Sequence, residues 1–521
     1  MTDLALPRRS VPWSVLGPVL VVVLWEGATQ ISGQSFVVAA PSAIVLYIAD
    51  NAALMLRALG VTLTNAALGF AIGNLAAVVL AACAIALPRS EAVIRGLALL
   101  VFCLPLVATG PILRVVFGPG DWPQIVLAAL AVYYTTLIPL LVGLRAVPSN
   151  WLDLVRSYGR GRFTALIRIR AIASVPYLVA GLQIAAPAAF LGAMVGEFTG
   201  AERGMGVLTI RAMRSMDVEM TWALASIATA IAVLSYLAIG WIAARFMRDA
   251  PPTILAAPAL ANRRRFEPLL TIGAVTLIAL TLWWGGLVAL QLNPFFAKGP
   301  IQVFDALVLA DDASQTRQTL ATALGETAVF LLPGYAAGLL LGALLAMSII
   351  QVPAIAGTAM PLAIALRSVP IITTAPLVVL LLGRGALGTI VLVAIMVFFP
   401  TFVACLHGLR QAPGQIIDVL RSYAAPSRAV LLRVRIPAML PAFFAAARIN
   451  VPASVLAVTV VEWLATGQGT GSVMALSASL SDYDMLWSSV VLVAVLSVIG
   501  YGSVGWVERR VLAIYAPEQL Q

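Results

Sequence analysis

Apolar runs of about twenty residues recur from one end of this 521-residue chain to the other. Each is long enough to cross a bilayer as a helix. A helix satisfies its backbone polar groups internally, so it suits a lipid solvent. A transmembrane barrel would need alternating segments of about ten residues, and the sequence has none. Only 10% of residues are charged, against about 25% in ordinary soluble domains. Too little polar surface remains for a water-soluble fold of this length. The sequence therefore predicts an all-α integral membrane protein.

The apolar runs place spans at 13–31, 58–87, 93–117, 123–145, 173–197 and 222–246. A second set falls at 268–292, 323–350, 355–382, 386–409, 438–464 and 487–512. About twelve transmembrane helices are expected. Arg8 and Arg9 precede the first run as they would a signal peptide, but the run holds Trp25 and Glu26 and no clear cleavage site follows. It reads as the first span.

Almost all the excess positive charge is arginine, because Lys298 is the only lysine. Arg145, Arg156, Arg160, Arg162, Arg168 and Arg170 crowd one loop against Asp153. Arg410, Arg421, Arg428, Arg433 and Arg435 crowd another against Asp418. A third group, Arg245, Arg248 and Arg263 to Arg265, lies between the two sets of spans. Such clusters mark cytoplasmic loops rather than nucleic-acid binding. With six spans in each set, both termini are then cytoplasmic.

The two sets are copies. One constant shift, without a gap, carries Asp153, Arg156, Ser157 and Tyr158 onto Asp418, Arg421, Ser422 and Tyr423. The same shift carries Pro105, Pro111 and Gly118 onto Pro370, Pro376 and Gly383, and Pro176 and Pro187 onto Pro441 and Pro452. Glu197, Gly204, Gly206, Asp217 and Trp222 fall on Glu462, Gly469, Gly471, Asp482 and Trp487. Six spans between equivalents leave both copies with one orientation, so a pseudo-two-fold axis along the membrane normal is expected. The predicted units are 1–246 and 268–521, joined by a cytoplasmic linker at 247–267.

Cys83, Cys103 and Cys405 sit in apolar runs without CxxC spacing, which suggests neither a disulfide frame nor a metal site. His407 ends an apolar run, and a proton-relay role is its functional alternative. One histidine in the whole chain argues against a membrane-embedded enzyme. A phosphate-binding loop of the form G-x-x-x-x-G-K-[ST] needs a lysine, and Lys298 lies in FFAKGP. ATP hydrolysis, if it drives this protein, belongs to another chain.

The loop after the fourth span begins DLVRSYGRGRFTALIRIRAI in one copy and DVLRSYAAPSRAVLLRVRIP in the other. Both resemble the EAA loop of binding-protein-dependent ABC-transporter permeases. That pattern runs acid-Ala-Ala, three residues, Gly, nine residues, Ile, one residue, Leu-Pro. In the first copy Asp153, Gly159 and Ile169 match, while Ala171 and Ile172 replace the Leu-Pro. In the second Asp418 and Pro437 match, while Ala424, Val434 and Ile436 replace Gly, Ile and Leu. A merely positive-inside loop would explain the arginines but not the repeated Asp-x-x-Arg-Ser-Tyr. GEFTGAERGMGVLTI and VEWLATGQGTGSVMA look like the stretch after the fifth span in permeases of the nitrate, sulfonate, taurine and thiamine-precursor type, with Gly-x-Gly seven residues after a Glu.

The resemblance implies two permease units fused in one chain, as in type I ABC importers of the bacterial cytoplasmic membrane. It implies two cytosolic ABC ATPase subunits that bind ATP and Mg, and a separate extracytoplasmic substrate-binding protein. Asp153, Arg156, Ser157, Tyr158 and Gly159, with Asp418, Arg421, Ser422, Tyr423 and Ala424, are then the ATPase-coupling residues. Glu197, Gly204 and Gly206, with Glu462, Gly469 and Gly471, either shape the outer turn or line a gate; plain helix-end acids are the alternative. Arg448 lies eleven residues past Pro437, roughly 16 Å along a helix and so near mid-bilayer. With Asn450 and its repeat equivalent Gln183, it is a candidate for the path of a small polar or anionic solute. Snorkelling, or pairing with a helix acid, is the structural alternative for Arg448. A secondary transporter with two six-helix halves is the competing class. The basic Gly-Asp-Arg-Gly-Arg loop expected after its second span is here only LPRSE (87–91).

Overall fold

The computed structural model describes residues 13–31, 38–87, 90–246, 267–352 and 385–515, together with 355, 378, 382 and 383. Every regular element among them is helical. The first half runs α1 (Trp13–Ile31), α2 (Pro41–Asp50), α3 (Ala52–Ala86), α4 (Glu91–Phe102), α5 (Leu106–Phe117) and α6 (Trp122–Arg145). It continues through α7 (Ser149–Ser157), α8 (Phe163–Phe198), α9 (Met205–Arg214) and α10 (Val218–Phe246). The second half holds α11 (Glu267–Ala289), α12 (Pro300–Leu309), α13 (Ala313–Gln351), α14 (Ala386–Arg410) and α15 (Gly414–Ser422). It ends with α16 (Ser427–Leu464), α17 (Gly469–Leu480) and α18 (Tyr483–Tyr515).

Among the described residues, nine helices are long and apolar enough to cross a membrane, or ten if the bent pair α4–α5 counts as one span. The expected span at 355–382 and the linker at 247–267 lie, but for a few positions, outside the described residues. The span expected at 93–117 is not one straight helix. It bends by 95° between Phe102 and Leu106. Pro105 opens α5 from an extended conformation (φ −71°, ψ 103°). A proline lacks the N–H that would continue α4, and its ring pushes the residue before it out of helical geometry.

The repeat is visible in the elements. Helices α3 and α6 to α10 have their counterparts in α13 and α14 to α18, all at nearly the shift that aligns the motifs. Both α8 and α16 contain a π-helical turn at equivalent places, Leu166–Arg170 and Leu431–Arg435. The helices before α3 do not keep this spacing.

Small residues let the central helices touch. A Cβ at Gly73 would lie 2.6 Å from the Ala129 carbonyl oxygen of α6, and one at Gly338 would lie 2.7 Å from the Ala394 carbonyl oxygen of α14. Gly69 and Gly334 make the same approaches one turn earlier. Such glycines bring backbones close enough for dispersion to hold helices in lipid, where no hydrophobic effect does so. Polar pairs add to this. Thr136 Oγ1 donates to Asn74 Oδ1 at 2.6 Å, and Asn450 Nδ2 donates to Thr401 Oγ1 at 3.0 Å. Thr136 and Thr401 are repeat equivalents met by asparagines from different helices.

The halves meet along an apolar seam. Val107, Val195 and Phe198 of the first half pack on Val460 of the second. Ala108 and Ile112 of α5 join Val455, Met474 and Leu486. On the flank, Val275 of α11 fits against Gly96 of α4, so the second half also grips the first through its leading helix.

Candidate coupling helices and helix staples

Two short helices, α7 and α15, project from the arginine-rich face. The inner side of α15 is anchored by Ile417, which packs with Ala412, Val430 and Val434. The outer side of both helices is exposed. Trp151, Leu154 and Tyr158 stand out from α7, and Ile416, Val419 and Tyr423 from α15. These are repeat equivalents at i, i+3 and i+7, which is one face of a helix. Tyr158 and Tyr423 are 76% and 81% exposed. The sequence motif contains the tyrosines but not the two apolar positions before each of them.

The acids and arginines of the motif pair locally. Arg156 Nη1 lies 3.0 Å from Asp153 Oδ1, and Arg421 Nη1 lies 3.8 Å from Asp418 Oδ1. All four side chains are at least 64% exposed, so these pairs contribute little to folding. Ser157 and Ser422 each donate to a carbonyl one turn back, at 2.8 and 2.7 Å. Both helices close with the same turn. Gly159 N donates to Arg156 O at 2.9 Å and Arg160 N to Val155 O at 3.1 Å. Ala424 N donates to Arg421 O at 2.9 Å and Ala425 N to Leu420 O at 3.0 Å. This is the Schellman pattern, and it needs a left-handed residue. Gly159 supplies it at φ +66°, and Ala424 at φ +53°.

On the opposite face, two carboxylates staple helix starts. Glu197 is buried and accepts from Thr62 Oγ1 at 2.7 Å and from Gly206 N at 2.7 Å. Thr62 Oγ1 in turn accepts from Met205 N at 2.9 Å. These are N–H groups that the first turn of α9 leaves without helical partners. The second half repeats the device. Glu462 accepts from Gly471 N at 2.8 Å, and Thr327 Oγ1 accepts from Thr470 N at 2.9 Å. Gly469 N donates to Glu326 at 2.7 Å. Gly204 (φ +126°) and Gly469 (φ +84°) have left-handed backbones, and a Cβ on either would overlap the stapling carboxylate. Thr62 and Thr327, themselves repeat equivalents, carry no signal in the sequence. They belong to helices remote in the chain from the Glu motif.

Arg448 and Asn450 have protein partners. Arg448 Nη1 lies 3.1 Å from Glu508 Oε2 of α18, with the two side chains 24% and 13% exposed. Its guanidinium also lies 5.8 Å from the Tyr501 ring, and its stem rests on Gly505. Gln183 stands at the equivalent place beside Gly240 of α10. Asn450 is buried and bonded to α14. The geometry thus joins Arg448 and Asn450 to neighbouring helices. No cluster of three or more metal-ligating side chains occurs among the described residues.

A tandem helical bundle with a short exposed helix at the same depth of each repeat is the architecture of a membrane permease. The sequence profile of the family described as "Binding-protein-dependent transport system inner membrane component" matches residues 69–249 and again residues 338–513. The chain belongs to that family and carries its unit twice. It is similar to a "Probable ABC transporter permease protein" of Haemophilus influenzae, 30% identical over 238 residues, which is 45% of this chain and 97% of that protein. It is similar also to the "Formylaminopyrimidine transport permease protein ThiX" of Halalkalibacterium halodurans, 25% identical over 221 residues, 42% of this chain and 88% of that one. A third relative is the "Riboflavin transport system permease protein RibX" of Chloroflexus aurantiacus, 30% identical over 136 residues, 26% of this chain and 51% of that one.

Proposed function

We propose that this chain is the membrane-spanning part of an ATP-driven importer, moving a small polar or anionic solute inward by alternating access. Two cytosolic ATPase subunits, which bind ATP and Mg, dock on α7 and α15. A separate extracytoplasmic protein delivers the solute, and both termini lie on the cytoplasmic side. The observation that carries this reading is the pair of exposed apolar stripes, Trp151–Leu154–Tyr158 and Ile416–Val419–Tyr423. Arginines beside each stripe add charge-assisted hydrogen bonds to an acidic partner surface. A rigid helix closed by a Schellman turn passes a push from the ATPase into α8 or α16 without bending. Movement of the two long spans then opens the seam between halves to one side or the other. The relatives named for formylaminopyrimidine and riboflavin support a small polar heterocycle as cargo, and those named for aliphatic sulfonates support an anion.

The test is the double variant Tyr158→Ala, Tyr423→Ala, reconstituted with the partner ATPase. Both side chains point outward, so the permease should keep its thermal stability. Solute-stimulated ATP hydrolysis and co-purification of the ATPase should fall by about tenfold or more, as when central aromatic anchors leave an interface. An ATPase that still binds and responds fully to solute overturns the reading.

A further inference from the structure

Two cavities remain on the arginine-rich face, one where α6 leads into α7 and one where α15 leads into α16. The first-half cavity, of about 320 Å³, lies among Ala84, Ile85, Glu91, Arg145, Leu152 and Arg170. The second-half cavity, of about 140 Å³, lies among Ile350, Gln351, Arg421, Ser427, Leu431 and Arg435. The two cavities share two positions of the repeat, since the shift that aligns the copies carries Ile85 onto Ile350 and Arg170 onto Arg435, and their other lining residues differ.

Their charge balance differs. In the first, the buried Glu91 carboxylate pairs with Arg145 and lies 3.9 Å from Arg95. That acid lines the same cavity as Arg170. In the second, no acid lines the cavity among the described residues. In the sequence, the same shift puts Ala356 in the place of Glu91. Asp418 lies 3.8 Å from Arg421, but its side chain is 75% exposed and is not part of the lining. Arg435 Nε is buried and has no hydrogen-bond partner among the described residues. An unpaired buried donor on a charged group is costly, and more so when its guanidinium lacks an anion. Gln351 already spends its Nε2 on the Ser427 carbonyl oxygen, at 3.3 Å.

We propose that the second-half cavity binds a phosphate-class anion, which supplies the negative charge that Glu91 gives the first-half cavity. Guanidinium groups bind phosphate oxygens through paired N–H donors, and Arg421 and Arg435 bring two to one small cavity. The cavity touches the last turn of α13, the end of α15 and the start of α16, so a bound anion braces the second coupling helix against two spans. Its position at the helix ends is also that of lipid headgroups, and basic pockets between helices at this level take anionic headgroups. The phosphate therefore comes either from a leaflet phosphodiester or from solution.

The experiment uses the full-length chain in two arms. In detergent, thermal unfolding is followed against inorganic phosphate, with chloride at matched ionic strength as control. In nanodiscs of phosphatidylcholine with or without a quarter of phosphatidylglycerol, retained lipid is counted by native mass spectrometry. A saturable rise in Tm with phosphate, or selective retention of phosphatidylglycerol, is expected, and which arm responds identifies the source. Gln351→Glu, which places a carboxylate in the cavity at constant shape, and Arg435→Gln should each weaken the response about tenfold, the worth of one charge-assisted hydrogen bond. Arg170→Gln, in the cavity that already has its acid, should leave it unchanged. The proposal is overturned if neither probe responds beyond the chloride control. It is equally overturned if Gln351→Glu and Arg435→Gln respond as the wild type does, or if Arg170→Gln weakens the response as much as they do.

Discussion

At the scale of single residues, the two halves solve one conformational problem with different amino acids. Gly159 and Ala424 both occupy the left-handed turn that closes a coupling helix. Glycine adopts φ > 0 freely, whereas an L-residue with a Cβ meets steric cost there. No atom crowds the Gly159 Cβ position, so the cost is conformational alone. Ala424→Gly is expected to stabilise the second half by about 1 kcal/mol, and Gly159→Ala to destabilise the first by a similar amount. Thermal unfolding of the two variants in one detergent checks both signs. The outer glycines face a stricter demand. At Gly204 and Gly469 a Cβ is opposed both by the backbone angle and by the buried carboxylate of Glu197 or Glu462. Gly204→Ala should therefore cost clearly more than Gly159→Ala, about 2 kcal/mol or more, because Glu197 must leave the N–H it holds. Equal melting shifts for the two variants would refute the staple as a stabilising device.

At the scale of elements, helix existence is legible in the sequence because a bilayer demands long apolar runs, and those runs are hard to miss. What escapes is whatever depends on a neighbour. The region 93–117 is apolar but for Arg95, Thr109 and Arg114, so hydropathy reads it as one span, yet Pro105 turns it through 95°. In the sequence that proline is a marker of the repeat, and only its backbone shows it to be a break. The repeated motif proposed for coupling is legible from its acid, arginine and tyrosine. The apolar stripe that completes its outer face is not, because Trp151 and Leu154 look like ordinary inward residues until the helix is seen from outside. Thr62 and Thr327 are silent for a similar reason: each serves a Glu several helices further along the chain. Packing glycines lie in plain view but gain meaning only from the facing helix. Gly338 sits where a Cβ would meet the Val397 side chain at 2.6 Å. Gly338→Leu should push α13 from α14 and lower folded yield, at a cost of about 1–3 kcal/mol for overpacking. Gly325 on the same helix has open space around it, so Gly325→Leu should be tolerated. Size-exclusion profiles of the two variants give the comparison.

At the scale of the whole molecule, the question is how many chains make one transporter. The Haemophilus influenzae relative is covered over 97% of its length by less than half of this chain. Its length corresponds to one unit, and this chain carries two. Here the halves already share a seam of Val107, Val195, Phe198 and Val460, and α11 of the second half lies against α4 of the first. On the proposed reading, this seam takes the place of the contact between two separate permease chains. Covalent fusion adds a high effective concentration of one half for the other, which outcompetes a free copy at ordinary membrane densities. Each half presents one exposed apolar stripe, so on the proposed reading one chain offers two docking faces. The expected assembly is one copy of this chain with two ATPase subunits. Because Ala424 strains the turn that Gly159 relaxes, the two docking faces should also differ in strength, with the α15 side releasing its ATPase first on dilution. Native mass spectrometry of the purified complex reads both features, first as the total mass and then as the species left after partial dissociation. Two copies of this chain in the intact complex would show that the seam between its halves is not the permease interface.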